Sequence, residues 1–315
     1  MRAAVTHHPG AGMGAVFVLI AAVLWGTTGT VASFAPTVGP LAIGAAAMGV
    51  GGLLQAALAG PALVHARHEL RRRWLTIAVG GLSVAIYPLA FYSSMRLAGV
   101  AVGTVISIGS APIASAVIER VLDKHRLTRR WVVGAGVGLV GVVLLSLVEP
   151  ARGAVAGDTA VGVLLGLLAG VTYALYSWAA HRTMQGGAPM QRGVPSRVAM
   201  GAIFGVGGVL LMPVLFVTGT PLLESWNNFS VGLYMALVPM FLGYVFFGLG
   251  LARVKASTAT TLSLAEPVVA AMLAVVIVGE RLPAWGWIGV ALVIASLAVL
   301  TVPVRRNVRT AVGVP

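Results

Sequence analysis

Cysteine is absent from this chain of 315 residues. That removes disulfides, thiolate metal sites and thiol nucleophiles from consideration, while the redox compartment stays undetermined. Lysine occurs only at Lys124 and Lys255, and only eight residues are acidic. Charged residues make up 9% of the chain, against roughly 25% in soluble domains. A soluble fold of this size would have too little polar surface to cover itself. No glycine-rich loop ends in Gly-Lys-Ser/Thr, so a phosphate-binding loop for ATP-driven work is missing. The histidines at 7, 8, 65, 68, 125 and 181 show no zinc-protease spacing.

Apolar sequence fills the space these absences leave. Hydrophobic residues reach 58% and mean hydropathy is +0.97. Ten windows are each long enough to cross about 30 Å of hydrocarbon: residues 14–34, 38–60, 74–94, 98–119, 130–148, 159–181, 197–218, 229–250, 256–278 and 284–302. Helices are the expected form, because an open sheet leaves backbone groups unpaired in lipid. The string Gly136-Val137-Gly138-Leu139-Val140-Gly141 mimics a dinucleotide fingerprint, but it lies inside the fifth window with no strand before it. It reads as packing glycine.

A net charge of +13 would suit nucleic acid if the basic residues formed one face. They fall between apolar runs instead, which argues against a nucleic-acid partner. With the amino terminus inside, eighteen of the 21 basic residues lie on the inner side, and only Arg96, Arg152 and Arg281 lie outside. That asymmetry is the positive-inside pattern, and it would blur if a span were missed or invented. It predicts a multi-pass protein of the cell inner (plasma) membrane with both termini cytoplasmic. Arg2 followed by an apolar run resembles a cleavable leader. Removing the first span would leave an odd count and spoil the asymmetry, so it is kept as a helix.

Setting Pro112 against Pro267 reveals an internal repeat. Without gaps, Phe91/Phe246, Ala101/Ala256, Ala116/Ala271, Val121/Val276, Arg126/Arg281, Leu127/Leu282, Gly134/Gly289 and Leu145/Leu300 then coincide. Five spans per copy is an odd number, so the second copy enters from the opposite side. The loop charges follow. The basic segment from Arg120 to Arg130 lies inside, while its counterpart at Glu280 and Arg281 lies outside without that excess. Two inverted five-helix repeats, 14–148 and 159–302, are therefore predicted, with a site between them near the midplane as in transporters.

Leu264-Ala265-Glu266-Pro267, an apolar run, Gly279-Glu280-Arg281-Leu282 and a final glycine-containing helix resemble the second repeat of EamA-type permeases in the drug/metabolite transporter superfamily. Ser110-Ala111-Pro112, Arg126-Leu127 and Trp131 echo it in the first repeat, and Trp25-Gly26 is similar to the family's opening helix. The resemblance implies a non-enzymatic secondary carrier of small organic metabolites, amino acids or related compounds, working by alternating access without ATP or any cofactor, with efflux the expected direction. The readings left beside it are a proton-coupled importer, a passive channel and an intramembrane lipid-handling protein. A homodimeric assembly stays open. The first repeat departs from the second by carrying Ala111 where the second has Glu266, so any proton chemistry is asymmetric.

Glu266 is the foremost candidate for substrate or proton contact, because a carboxyl near the bilayer centre persists where it faces protein, water or a substrate path. It could exchange a proton with a cationic substrate. A structural role, with the protonated group bonding carbonyls freed at Pro267, fits the sequence as well. Ser263 and Thr260 share its helix face, and Ser107 and Ser110 are the hydroxyl candidates of the first repeat. Gly103, Ser107, Ser110 and Ala114 also form a small-residue stripe suited to helix packing. Trp25, Tyr87, Tyr173 and Tyr244 are deep aromatics able to stack on an organic cation, with Trp25 and Tyr173 coinciding when the repeat starts are aligned. Pro112 and Pro267 are the expected helix breaks bracketing the cavity.

Overall fold

A run of about twenty apolar residues in lipid can satisfy its backbone only by closing the hydrogen bonds within one segment. The computed structural model describes residues 11–125, 127–146, 156–185, 193–278 and 283–301, and every regular element among them is helical. Nine helices among the described residues are long and apolar enough to cross a membrane. They are α1 Gly12–Ala32, α2 Pro40–His65, α3 Trp74–Ala98, α4 Val102–Leu122, α6 Thr159–Gln185, α7 Ser196–Thr218, α8 Trp226–Leu251, α9 Ala256–Ile277 and α10 Ala284–Thr301. Between α4 and α6 runs α5, Arg129–Ser146, at the place of the fifth predicted span. The protein is an all-α integral membrane protein. Outward side chains such as Val16, Val23, Leu164, Val209 and Ile288 are exposed, as lipid-facing positions must be.

Local chemistry sets the ends. Pro40 opens α2 with its missing N–H at a position that has no helical partner. Ser225 caps α8 by accepting the Asn228 amide at 3.1 Å. Gly99 joins α3 to α4 at φ 91°, a backbone region that disfavours any side chain.

Small residues let the helices touch. An added Cβ at Gly141 or at Gly289 would sit 2.7 Å from the other's carbonyl oxygen, so α5 and α10 cross backbone to backbone. The glycine string that mimics a dinucleotide motif is part of this crossing. On α2 and α7, Gly52 meets the Phe204 carbonyl and Gly208 meets that of Gly49. Other large contacts join α3 to α6 and α7, α4 to α6 and α9, and α1 to α8 and α9.

Four helices are irregular within their spans. α1 turns at Thr27; α2 and α8 widen into π-helix at Ala45–Val50 and Ala236–Leu242; α9 is interrupted at Ser263 and Leu264. Of the two prolines expected to break helices, only Pro267 follows an interruption. Pro112 sits inside an α-helix that continues to Leu122, a correction to that expectation. A proline removes one backbone bond, and the turns on either side of Pro112 are enough to hold the helix.

Candidate functional site

The irregular helices converge on one cavity. It is lined by Trp25 and Thr28 of α1, Gly44, Ala47 and Met48 of α2, Tyr87, Pro88, Phe91 and Tyr92 of α3, Tyr173 of α6, Met240 and Tyr244 of α8, and Glu266 of α9. Trp25 is fixed by its indole N–H, which donates to the Pro239 carbonyl at 3.0 Å within the π-helical stretch of α8. Gly243 makes the space, since an added Cβ there would lie 2.8 Å from the indole nitrogen. Rings pack around it: Trp25 to Tyr244 at 4.8 Å, Trp25 to Tyr173 edge-on at 6.2 Å, and Tyr87 to Tyr173 at 5.6 Å. The free space is about 20 Å³, room for a water and for nothing much larger.

Glu266 is the one charged group among these lining residues. It stands in the first turn of the second segment of α9, and its amide is already bonded to the Ser263 carbonyl at 2.9 Å. Among the described residues its carboxyl group has no hydrogen-bond partner; desolvation by the surrounding protein is the influence acting on it. The structural alternative, a carboxyl tied to carbonyls at the Pro267 kink, therefore finds no such bond here.

Gly26 holds α1 against this turn, because a Cβ would stand 2.6 Å from Val269 Cβ and 3.0 Å from the Glu266 carbonyl. Gly26→Val is expected to cost about 1–3 kcal/mol through overpacking. A lowered Tm of the purified protein would show it.

The sequence-chosen residues fall into two groups. Glu266, Trp25, Tyr87, Tyr173 and Tyr244 meet at the cavity. The hydroxyl candidates lie behind its wall. Ser263 accepts the Tyr173 hydroxyl at 2.9 Å and donates to the Thr260 carbonyl at 2.8 Å, so it orients Tyr173. Thr260 contacts Ser115 Oγ at 3.2 Å, linking α9 to α4. Ser107 and Ser110 face α6, where a Cβ on Gly170 would fall 1.9 Å from Ser110 Oγ and 2.7 Å from the Ser107 carbonyl; the stripe is a packing surface. Gly279, Glu280, Arg281 and Leu282 lie outside the described residues. Tyr92, another of the deep aromatics of the sequence, joins the other rings at the cavity, and its buried hydroxyl has no partner among the described residues.

The sequence profile described as the EamA-like transporter family matches residues 12–147 and 160–302. The chain belongs to this family. The EamA-like chain is 34% identical over 294 residues to "Uncharacterized transporter YwfM" of Bacillus subtilis (strain 168), covering 93% of this chain and 95% of that one. It is 26% identical to "Threonine/homoserine exporter RhtA" of Salmonella typhimurium (strain LT2), over 87% and 86% of the two chains. A solved crystal structure shares its fold at a TM-score of 0.72 and 22% identity, covering 92% of this chain and 96% of the other. The protein is thus a multi-pass membrane transporter.

A second acid of this EamA-like transporter is buried away from the cavity. Glu119, 3% exposed near the end of α4, accepts the Ser257 amide at 2.9 Å and the Ser257 hydroxyl at 2.7 Å. Ser257 opens α9, where unpaired amides and the positive end of the helix dipole favour a carboxylate. Trp131 donates its indole N–H to the Ser257 carbonyl at 3.3 Å. Next to this, Asp123 accepts the Trp178 indole at 2.7 Å and pairs with Arg182, whose guanidinium lies 5.3 Å over the Trp178 ring. This polar layer ties α4, α6 and α9 together on the side that the charge asymmetry assigns to the cytoplasm.

Proposed function

We propose that this transporter is a secondary carrier that exports small organic metabolites, amino acids or related compounds, across the plasma membrane, with both termini cytoplasmic. The observation that carries the reading is a carboxyl group with no hydrogen-bond partner among the described residues, in an aromatic cavity where interrupted helices meet. Interrupted helices at a midplane site are what carriers of this kind use to bind solute.

Two inverted repeats, 14–148 and 159–302, supply the moving parts. The helix contacts favour this division: exchanging each helix with the one five places later turns α3 on α6 into α8 on α1, and leaves the pairs α2 with α7, α4 with α9 and α5 with α10 unchanged. Closure on one side runs through Glu119 and Ser257. On the other, Asn228 donates to Thr37 at 3.1 Å and Tyr234 to Thr27 at 3.0 Å. Breaking one set while keeping the other opens the cavity alternately. Glu266, as the proton-exchanging group, couples that cycle to a pH gradient. Export as the direction is supported by the name of RhtA and by the family resemblance.

Counterflow in proteoliposomes tests the carrier reading. Preloading with unlabelled threonine, homoserine or an amine is expected to raise uptake of the labelled solute at least about tenfold above unloaded vesicles, with saturation. Uptake that is linear in concentration and insensitive to preloading would instead mark a channel.

A further inference from the structure

The walls of the cavity divide unevenly between groups that attract anions and groups that attract cations. Among the described residues, no lysine or arginine lines it. Its strongest donors are spent on protein: the Trp25 indole on the Pro239 carbonyl, the Tyr173 hydroxyl on Ser263 at 2.9 Å, and Tyr244 in a mutual hydroxyl contact with Tyr176 at 2.7 Å.

A helix start can cradle an anion with free amides. Here the start of the second segment of α9 has few to offer. The amide of Leu264 is bonded to Thr261 at 3.2 Å, that of Glu266 to Ser263 at 2.9 Å, and Pro267 has none. The same turn presents a carboxyl group, so an incoming carboxylate meets repulsion where it would need donors. Hydroxyls remain at Thr28, Tyr87 and Tyr92, each an acceptor as well as a donor.

For a cation the balance is favourable. An ammonium group carries donors only, and it finds the Glu266 carboxyl group, hydroxyl oxygens and the aromatic rings of Trp25, Tyr87, Phe91 and Tyr244 among the lining residues. Tryptophan and tyrosine rings attract cations most when water is excluded. We infer that the cavity selects organic amines that enter as ammonium cations without a free carboxylate, with the nitrogen held by Glu266 inside an aromatic cage. This rests on the carrier reading above and narrows its substrate class: amines ahead of the zwitterions that the name of RhtA would suggest.

Three solutes with one phenethyl body separate the charges. Phenethylamine is a cation, phenylalanine a zwitterion and 3-phenylpropionate an anion at neutral pH. Calorimetric titration of the purified full-length protein is expected to show phenethylamine binding at least about tenfold tighter than the other two, a difference of roughly 1.4 kcal/mol. In Glu266→Gln that preference should collapse to within about threefold. The comparison in the unsubstituted protein stands even where the variant folds poorly. Equal or tighter binding of the zwitterion or the acid overturns the ammonium assignment and leaves the carrier reading to its counterflow test. Binding of none of the three also overturns the assignment, and a preference that survives in Glu266→Gln overturns the role of Glu266.

Discussion

In Glu266→Gln, an imposed pH gradient is expected to stop accelerating transport. The ratio of gradient-driven to undriven rate, at least about ten before substitution, should fall to about one. Glutamine keeps the size and shape of the side chain but cannot take up or release a proton, and among the described residues no other charged one lines the cavity to replace it. Coupling requires a group whose occupancy by a proton differs between the two orientations of the carrier. The ratio matters more than the absolute rate, because weaker solute binding lowers both rates together. Stability supplies the control. The carboxyl group has no hydrogen-bond partner among the described residues, so the substitution should move stability by less than about 1 kcal/mol. If the carboxyl instead served only to brace the Pro267 turn, Tm would drop while the response to the gradient survived, and the coupling role would be lost.

The helices were legible in the sequence because the bilayer fixes both their length and their form. Predicted and observed boundaries differ by a few residues: 197–218 against 196–218, or 38–60 against 40–65. The aromatic and acidic members of the cavity were legible for a related reason. A carboxyl at mid-span is costly, and Trp25, Tyr173 and Tyr244 are large amphipathic rings far from either interface.

Hydroxyls carried no comparable signal. Thr260, Thr261 and Thr183 each donate to the carbonyl four residues earlier, so a serine or threonine in a membrane helix can be satisfied by its own backbone wherever it points. Their sharing a face with Glu266 on an ideal helix said little once α9 was interrupted at Ser263 and Leu264. Prolines misled in a parallel way. Pro112 and Pro267 align in the repeat, yet only the second follows an interruption, because a proline permits a break and neighbouring packing decides whether one occurs. Glu119 was overlooked because it precedes Arg120 and Lys124 at a span end, where an acid ordinarily faces solvent. Its partner, the Ser257 amide, lies 138 residues away and leaves no local trace.

Glu119→Ala is expected to open the side that the charge asymmetry assigns to the cytoplasm. Glu119 accepts two bonds from Ser257, one from the first turn of α9 and one from its hydroxyl, and both vanish together with the favourable charge at the helix start. Charge-assisted bonds contribute about 1.5–3 kcal/mol each, and the amide left behind has no substitute among the described residues nearby. A bias of about 3 kcal/mol is more than a hundredfold in the equilibrium between closed and open forms. The absence of cysteine makes the readout clean. Thr261, 0% exposed on α9 one turn beyond Ser257, becomes a single thiol reporter as Thr261→Cys. In inside-out vesicles, maleimide labelling of that reporter should be slow with Glu119 present and at least about tenfold faster with alanine. Glu119→Gln, which keeps an acceptor for the Ser257 amide, should fall between the two. Unchanged labelling accompanied by a lower Tm would mean that the pair only braces the α4 and α9 contact and does not gate the cavity.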